Sequence, residues 1–285
     1  MSGRLTAAAF FKYFIMHRYI FLALLALSNK MIFAQDSTTT EKEKTHFVVG
    51  ATGNSAMNYY GRVDSLKSKG ISPFVGVNFG NGLYLNANFV FIHNNLQSQY
   101  AATLVEGGYN FHNKKNSWAG NLSTTRYFYQ ANTDLIQSAI KQSVTASITQ
   151  LNDIVNITIG GDVKFSNQAD PGAQAGLDHI IRWPKVFGSG VIVLDPSVYV
   201  YAGTQHFTQT YLQQQHFLLL PSGEEIVTKD SRQFSILSYE GSLPMILAYK
   251  KFSLILSPAY VLPQHVLTGD AKGLFYTTAT VKFTL

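Results

Sequence analysis

Cysteine is absent from the 285 residues, so an exported form of this chain cannot be held by disulfides and must rely on packing or on closed hydrogen-bond ladders. Charge is sparse as well. Asp, Glu, Lys and Arg make up 13% of the residues while 46% are hydrophobic, a balance too apolar for a disordered chain. The formal charge of +6 is concentrated rather than spread. Arg4, Lys12, Arg18 and Lys30 stand in the first 34 residues without an acid, and setting those four aside leaves 18 basic against 16 acidic groups, a net +2. That distribution lacks the basic stripe of a nucleic-acid binder. No apolar run reaches the roughly 20 residues that a membrane-crossing helix needs. Helical periodicity is missing too, residues 134–148 being the stretch that reads either as helix or as strand.

What is present begins with a leader-like segment. Met16-His17-Arg18 forms a short basic start and YIFLALLAL, residues 19–27, an apolar core of signal length. Cleavage is expected after Ala34, with Met16 as an alternative start, so residues 1–34 read as an export signal and residues 35–45 as a polar linker. The remainder, residues 46–285, reads as one domain. Its 22 Gly, 16 Tyr and 20 Phe suit turns and pleated surfaces.

Alternation dominates that domain. In residues 82–92, Leu83, Leu85, Ala87, Phe89 and Phe91 alternate with Tyr84, Asn86, Asn88 and Val90. Residues 153–166 and 274–285 repeat the pattern, with Asn156, Thr158, Asp162 and Lys164 on one polar face and Tyr276, Thr278, Thr280 and Lys282 on another. Period two means strands with two unlike faces. Turn signals divide the domain into twelve strands, near residues 46–60, 71–79, 82–92, 99–111, 117–130, 138–150, 153–166, 178–193, 198–209, 232–248, 252–263 and 274–285. The connections alternate short and long. The short set is Gly80-Asn81-Gly82, residues 112–116, Leu151-Asn152, residues 194–197 and residues 249–251, and the largest of the others is residues 210–231. With each strand reversing direction, all short turns fall at one end. An even strand number, short turns at one end and longer loops at the other describe an outer-membrane barrel. The fold expected is therefore all-β, a closed antiparallel transmembrane barrel of about 12 strands with a range of 10 to 14.

The C-terminal third, SYEGSLPMILAYKKFSLILSPAYVLPQHV followed by GLFYTTATVKFTL, resembles the last strands of outer-membrane β-barrel proteins of the Bacteroidota type. The FAQDS at the end of the leader is similar to that group as well. The resemblance implies that Phe283 and Leu285 act as the assembly signal read by the barrel insertion machinery, with outer-membrane lipid as the surrounding partner. Two features depart from the usual form: the final residue is Leu rather than an aromatic, and Pro244, Pro258 and Pro263 fall in or beside expected strands, where each removes a ladder donor.

A search for chemistry finds little. Outer-membrane phospholipases, similar in strand count, place a Ser two residues after a His; here His206-Phe207-Thr208 comes nearest, and a strand end with a polar Thr is the plainer account. Asp178 and His179 are adjacent, so on one strand they point to opposite faces. Neither a Ca-type loop nor paired His at metal-binding spacing occurs. No catalytic residue, metal or cofactor is assigned. The residues expected to line the lumen are Tyr84, Asn86, Asn88, Glu106, Asp162, Lys164, Glu240 and Lys282. For Asp162 and Lys164, same-face neighbours, cross-bracing and pore electrostatics stand as equal readings. A width between the filled 8-strand barrel and the aqueous 16-strand pore points to a narrow channel or small-solute transporter. Two alternatives stay open: a closed barrel whose outer loops bind a partner or surface polymer, and a soluble periplasmic β-sandwich, since alternation also serves a core between two sheets. The connection at residues 210–231 is expected either to fold inward as a constriction or to bind outside.

Overall fold

A computed structural model describes residues 44–63, 66–130, 139–206, 232–264 and 272–285. Seventeen strand segments build it. They are β1 (His46–Asn54), β2 (Asn58–Tyr59), β3 (Arg62–Val63), β4 (Lys69–Asn78), β5 (Leu83–His93), β6 (Ser98–His112), β7 (Trp118–Tyr129), β8 (Gln142–Gln150) and β9 (Asn156–Phe165). The second half holds β10 (Ala169–Asp178), β11 (Ile181–Val186), β12 (Gly190–Leu194), β13 (Ser197–Gly203), β14 (Ser235–Ser242), β15 (Met245–Tyr249), β16 (Phe252–Pro263) and β17 (Leu274–Thr284). Apart from the small β2–β3 hairpin, these form one antiparallel sheet in which β1 pairs with both β4 and β17, and β17 pairs back onto β16. The ladder through β10, β13, β14, β16, β17, β1 and β4 to β9 therefore closes on itself.

Three staves of this barrel are each written in two segments: β10 with β11, β12 with β13, and β14 with β15. Counted so, the barrel has twelve staves. The interruptions lie side by side and coincide with prolines. Pro196 accepts the His179 backbone N–H at 3.1 Å, Pro244 that of Asp195 at 3.0 Å and Pro258 that of Leu243 at 3.0 Å. Proline lacks a donor but keeps its carbonyl, so the ladder runs on through the breaks. Pro258 itself stays inside β16, opposite Thr277, and Pro263 ends that strand. At the rim, β11 pairs on one side alone among the described residues, and Pro184 with the left-handed Lys185 (φ 61°) interrupts that edge, a usual guard against further pairing.

The strand expected over residues 178–193 is displaced. Its stave starts at Ala169, and the short turn lies at residues 187–189, where Phe187 and Gly188 have positive φ, rather than at 194–197. Asp195-Pro196 looks like a turn in sequence, and ADPGAQAGLD, poor in β-branched residues, does not look like a strand. Position, not length, separates the two sets of connections. Those at residues 94–97 and 166–168 belong to the loop end yet are no longer than the turns opposite.

The faces are unlike throughout. Leu85, Ile159 and Phe275 are 50%, 57% and 67% exposed on the outer wall, while their neighbours Asn86, Thr158 and Tyr276 turn inward on the same strands. A sandwich would bury such apolar faces against a second sheet; here one sheet curls round and leaves them outward. An apolar surface of this extent needs a membrane or a partner to cover it. Backbone groups in lipid must all be paired, which a closed ladder achieves. Among the described residues no helix is long and apolar enough to cross a membrane.

Candidate functional site

The inner wall is a network of short polar bridges between neighbouring staves. Thr52 and Thr280 meet at 2.8 Å across the β1–β17 seam, Thr149 and Thr158 at 2.8 Å, and Ser197 and Ser242 at 2.7 Å. Asn121 donates to the Tyr84 hydroxyl at 3.1 Å and to the Asn110 side chain at 2.8 Å. Thr125 donates to Glu106 at 3.3 Å, and Tyr276 to Glu240 at 3.0 Å. Lys164 forms an ion pair with Asp162. Close approach shapes this wall as well: a Cβ added to Gly50 would sit 2.2 Å from the Val281 carbonyl and 2.5 Å from the Phe74 ring, so only glycine fits beneath that ring.

The structure places the eight expected lining residues as follows. Tyr84, Asn86 and Asn88 occupy alternate positions of β5, and Glu106 lies opposite Asn86 on β6. Asp162 and Lys164 are on β9, Glu240 is on β14, and Lys282 is on β17 opposite Gly50. They share the inner face but stand on five staves rather than converging on one point. Phe283 and Leu285 point outward, Phe283 against the Phe252 ring at 6.3 Å between centroids. The segments expected to act as export signal and as inward-folding or binding loop, residues 1–34 and 210–231, lie outside the described residues, as does the linker except for Lys44 and Thr45.

A second group, not foreseen from sequence, sits at the loop end. Between β1 and β4 the chain folds into the β2–β3 hairpin. Asn58 pairs with Val63 and Tyr59 with Arg62, leaving Tyr60 (φ 53°) and Gly61 (φ 79°) as the turn. Two left-handed residues in a two-residue loop make a type I′ hairpin, whose twist matches its strands. The Asn58 side chain accepts the Gly61 N–H at 3.2 Å. An isolated hairpin of this size is not stable in water, so its packing holds it.

That packing reaches the wall on every side. Met57 lies against Val90, Ile92, Ala101 and Ala102 on β5 and β6. Tyr59 and Tyr127 of β7 both pack against Ala139 and Ile140. The Tyr60 ring is 5.4 Å from that of Tyr201 on β13, with the Lys164 ammonium 5.5 Å from its centroid. A Cβ on Gly61 would meet Pro263 at 3.0 Å and Val261 at 3.2 Å on β16. The most deeply buried residues of the barrel, including Ile92, Ile140, Gln205, Leu237, Val261 and Asp170, gather at this mouth. Burying each large apolar side chain is worth about 1.5–3 kcal/mol. Burial raises the Tyr59 phenol well above its usual range and lowers the Arg62 guanidinium to about 10, the neighbouring phenols of Tyr59 and Tyr60 opposing that fall. At the same loop end, Asp170 accepts the Thr204 hydroxyl at 2.6 Å and the His206 backbone N–H at 2.7 Å, with His206 Nδ1 at 2.8 Å. In sequence the hint was MNYYGRV, whose Tyr-Gly fits a tight turn better than the continuation of a strand.

A closed antiparallel ladder, apolar outside and polar inside, defines a transmembrane-type β-barrel. No protein-family model and no curated protein matches the chain. Among solved structures it is similar to a KdgM porin at 6% identity and a TM-score of 0.48, over 84% of this chain and 99% of that one. It is similar to LpxR from Salmonella typhimurium at 11% identity and 0.46, over 83% and 99%. It also resembles the translocator domain of the autotransporter NalP from Neisseria meningitidis at 10% and 0.44, over 95% and 97%. With every score below 0.5, the barrel rests on its own hydrogen-bond register.

Proposed function

We propose that the chain is an integral outer-membrane barrel serving as a narrow channel for small polar solutes, exported by cleavage of residues 1–34. The supporting observation is the pairing of a lipid-compatible outer wall with a continuous polar inner wall in a ladder that closes. In this reading the short turns, the start of β1 and the end of β17 face the periplasm. The C-terminal resemblance supports a barrel of the Bacteroidota type. The lining is formed by Tyr84, Asn86, Asn88, Glu106, Asp162, Lys164, Glu240 and Lys282, whose mixed signs favour weak ion selectivity. Proteoliposomes containing the folded protein are expected to admit a monosaccharide and exclude a large dextran. Exclusion of both, by the intact chain and by a barrel lacking the β2–β3 hairpin, contradicts the channel. One observation favours a second reading, a non-conducting barrel that binds through its outer loops: the packed hairpin at the loop-end mouth.

Assembly is assigned to the last strand. Phe283 and Leu285 stand outward at the seam between β17 and β1, where Leu285 N–H donates to the Phe47 carbonyl at 2.8 Å. Deleting residues 283–285 is expected to leave the protein out of the outer membrane. Normal membrane levels of the truncated form would contradict a role in recognition by the insertion machinery.

A further inference from the structure

We infer that the β2–β3 hairpin is a plug that closes the loop-end mouth of the barrel, and that solute passage requires its displacement. This rests on the channel reading above and adds the regulation of that channel. The hairpin springs from the end of β1 and returns to β4, adjacent staves whose ladder already pairs Asn54 with Gly70. A direct turn there would suffice to connect them. Instead the chain spends the intervening residues on an inward excursion that reaches β5, β6, β9, β13 and β16, and Ala139 and Ile140 ahead of β8. Contacts on staves so far apart around the ring place the hairpin across the opening rather than along one wall.

Its chemistry suits a removable part better than a fixed one. Among the groups that seat the turn, Tyr60 on Tyr201 and Lys164 over Tyr60 are ring contacts at a wet mouth that water can replace. Tyr59 and Met57 supply the apolar anchor. No ladder hydrogen bond of the barrel runs through β2 or β3. The hairpin can therefore leave without opening the sheet, and residues 55 and 56 with 64–68 remain to join β1 to β4 once 57–63 are excised.

The test is single-channel conductance in planar bilayers, on samples whose heat-dependent gel mobility shows a folded barrel. The full chain is expected to give small or brief openings, and excision of residues 57–63 to give steady steps at least several-fold larger. A second variant, G61C with V261C in a chain that has no other cysteine, tethers the turn to β16. Its openings are expected to be lost on oxidation and restored on reduction. Equal steps from the full chain and the excised form, with no redox effect in the tethered form, overturn the plug while leaving the channel intact. Silence from the full chain and a folded excised form together overturns the channel reading itself.

Discussion

An arginine at Phe89 is expected to destabilise the barrel far more than an arginine at the adjacent Asn88. Phe89 is outward on β5, opposite Thr103, while Asn88 is inward between Phe74 and Leu104. A cation on the lipid face costs about 2–4 kcal/mol at mid-depth and less toward the interfaces; at Phe89 the lost apolar contact adds to that. The same cation at Asn88 enters a polar lumen where water and inner-wall carboxylates such as Glu106 can solvate it. Urea titration of the two variants in vesicles, followed by heat-dependent gel mobility, reads the difference. Similar midpoints would mean that β5 does not separate lipid from water.

The next largest effect is expected at Asp170, which is 1% exposed and gathers three donors on a single oxygen, from the Thr204 hydroxyl, the His206 backbone and the His206 ring. Asp170→Ala removes the shared acceptor of these three donors. Leaving a buried donor without its acceptor costs about 1–3 kcal/mol, more where the lost acceptor is charged. Asp170→Asn keeps an oxygen that can accept all three, so its cost should be the smaller of the two. Thermal or urea midpoints of the two variants check the order. Equal losses would mean that charge, not the acceptor geometry, holds the loop root at His206.

Twelve staves were legible because most strands alternate cleanly, above all β5, β9 and β17, where every second residue of a run such as LYLNANF or NITIGGDVK faces lipid. A wall with lipid on one side and polar groups on the other imposes that period directly. Legibility failed where other physics sets the sequence. The stave through β10 carries Ala, Pro and Gly outward and inward, so it has little amphipathic contrast, and its strand character comes from neighbours on both sides. Asp195-Pro196 reads as a turn, although the Pro196 carbonyl keeps the ladder connected. The hairpin at the mouth was hidden because Met57, Tyr59 and Tyr60 continue the apolar character of β1. The tertiary contacts with Ile140, Tyr201 and Val261 show that the chain has already turned inward. The residues expected to line the lumen were chosen by alternation within single strands, whereas their spread over five staves depends on pairings between distant segments.

The most direct test of the central claim uses the absence of native cysteine. Single cysteines placed in turn at positions 83–89 of β5 are exposed, in membranes, to a water-soluble maleimide and to a lipid-borne quencher acting on an attached fluorophore. The account predicts strict alternation, with positions 84, 86 and 88 labelled from water and positions 83, 85, 87 and 89 quenched from lipid. Uniform labelling from water along the whole strand would contradict a membrane-spanning barrel.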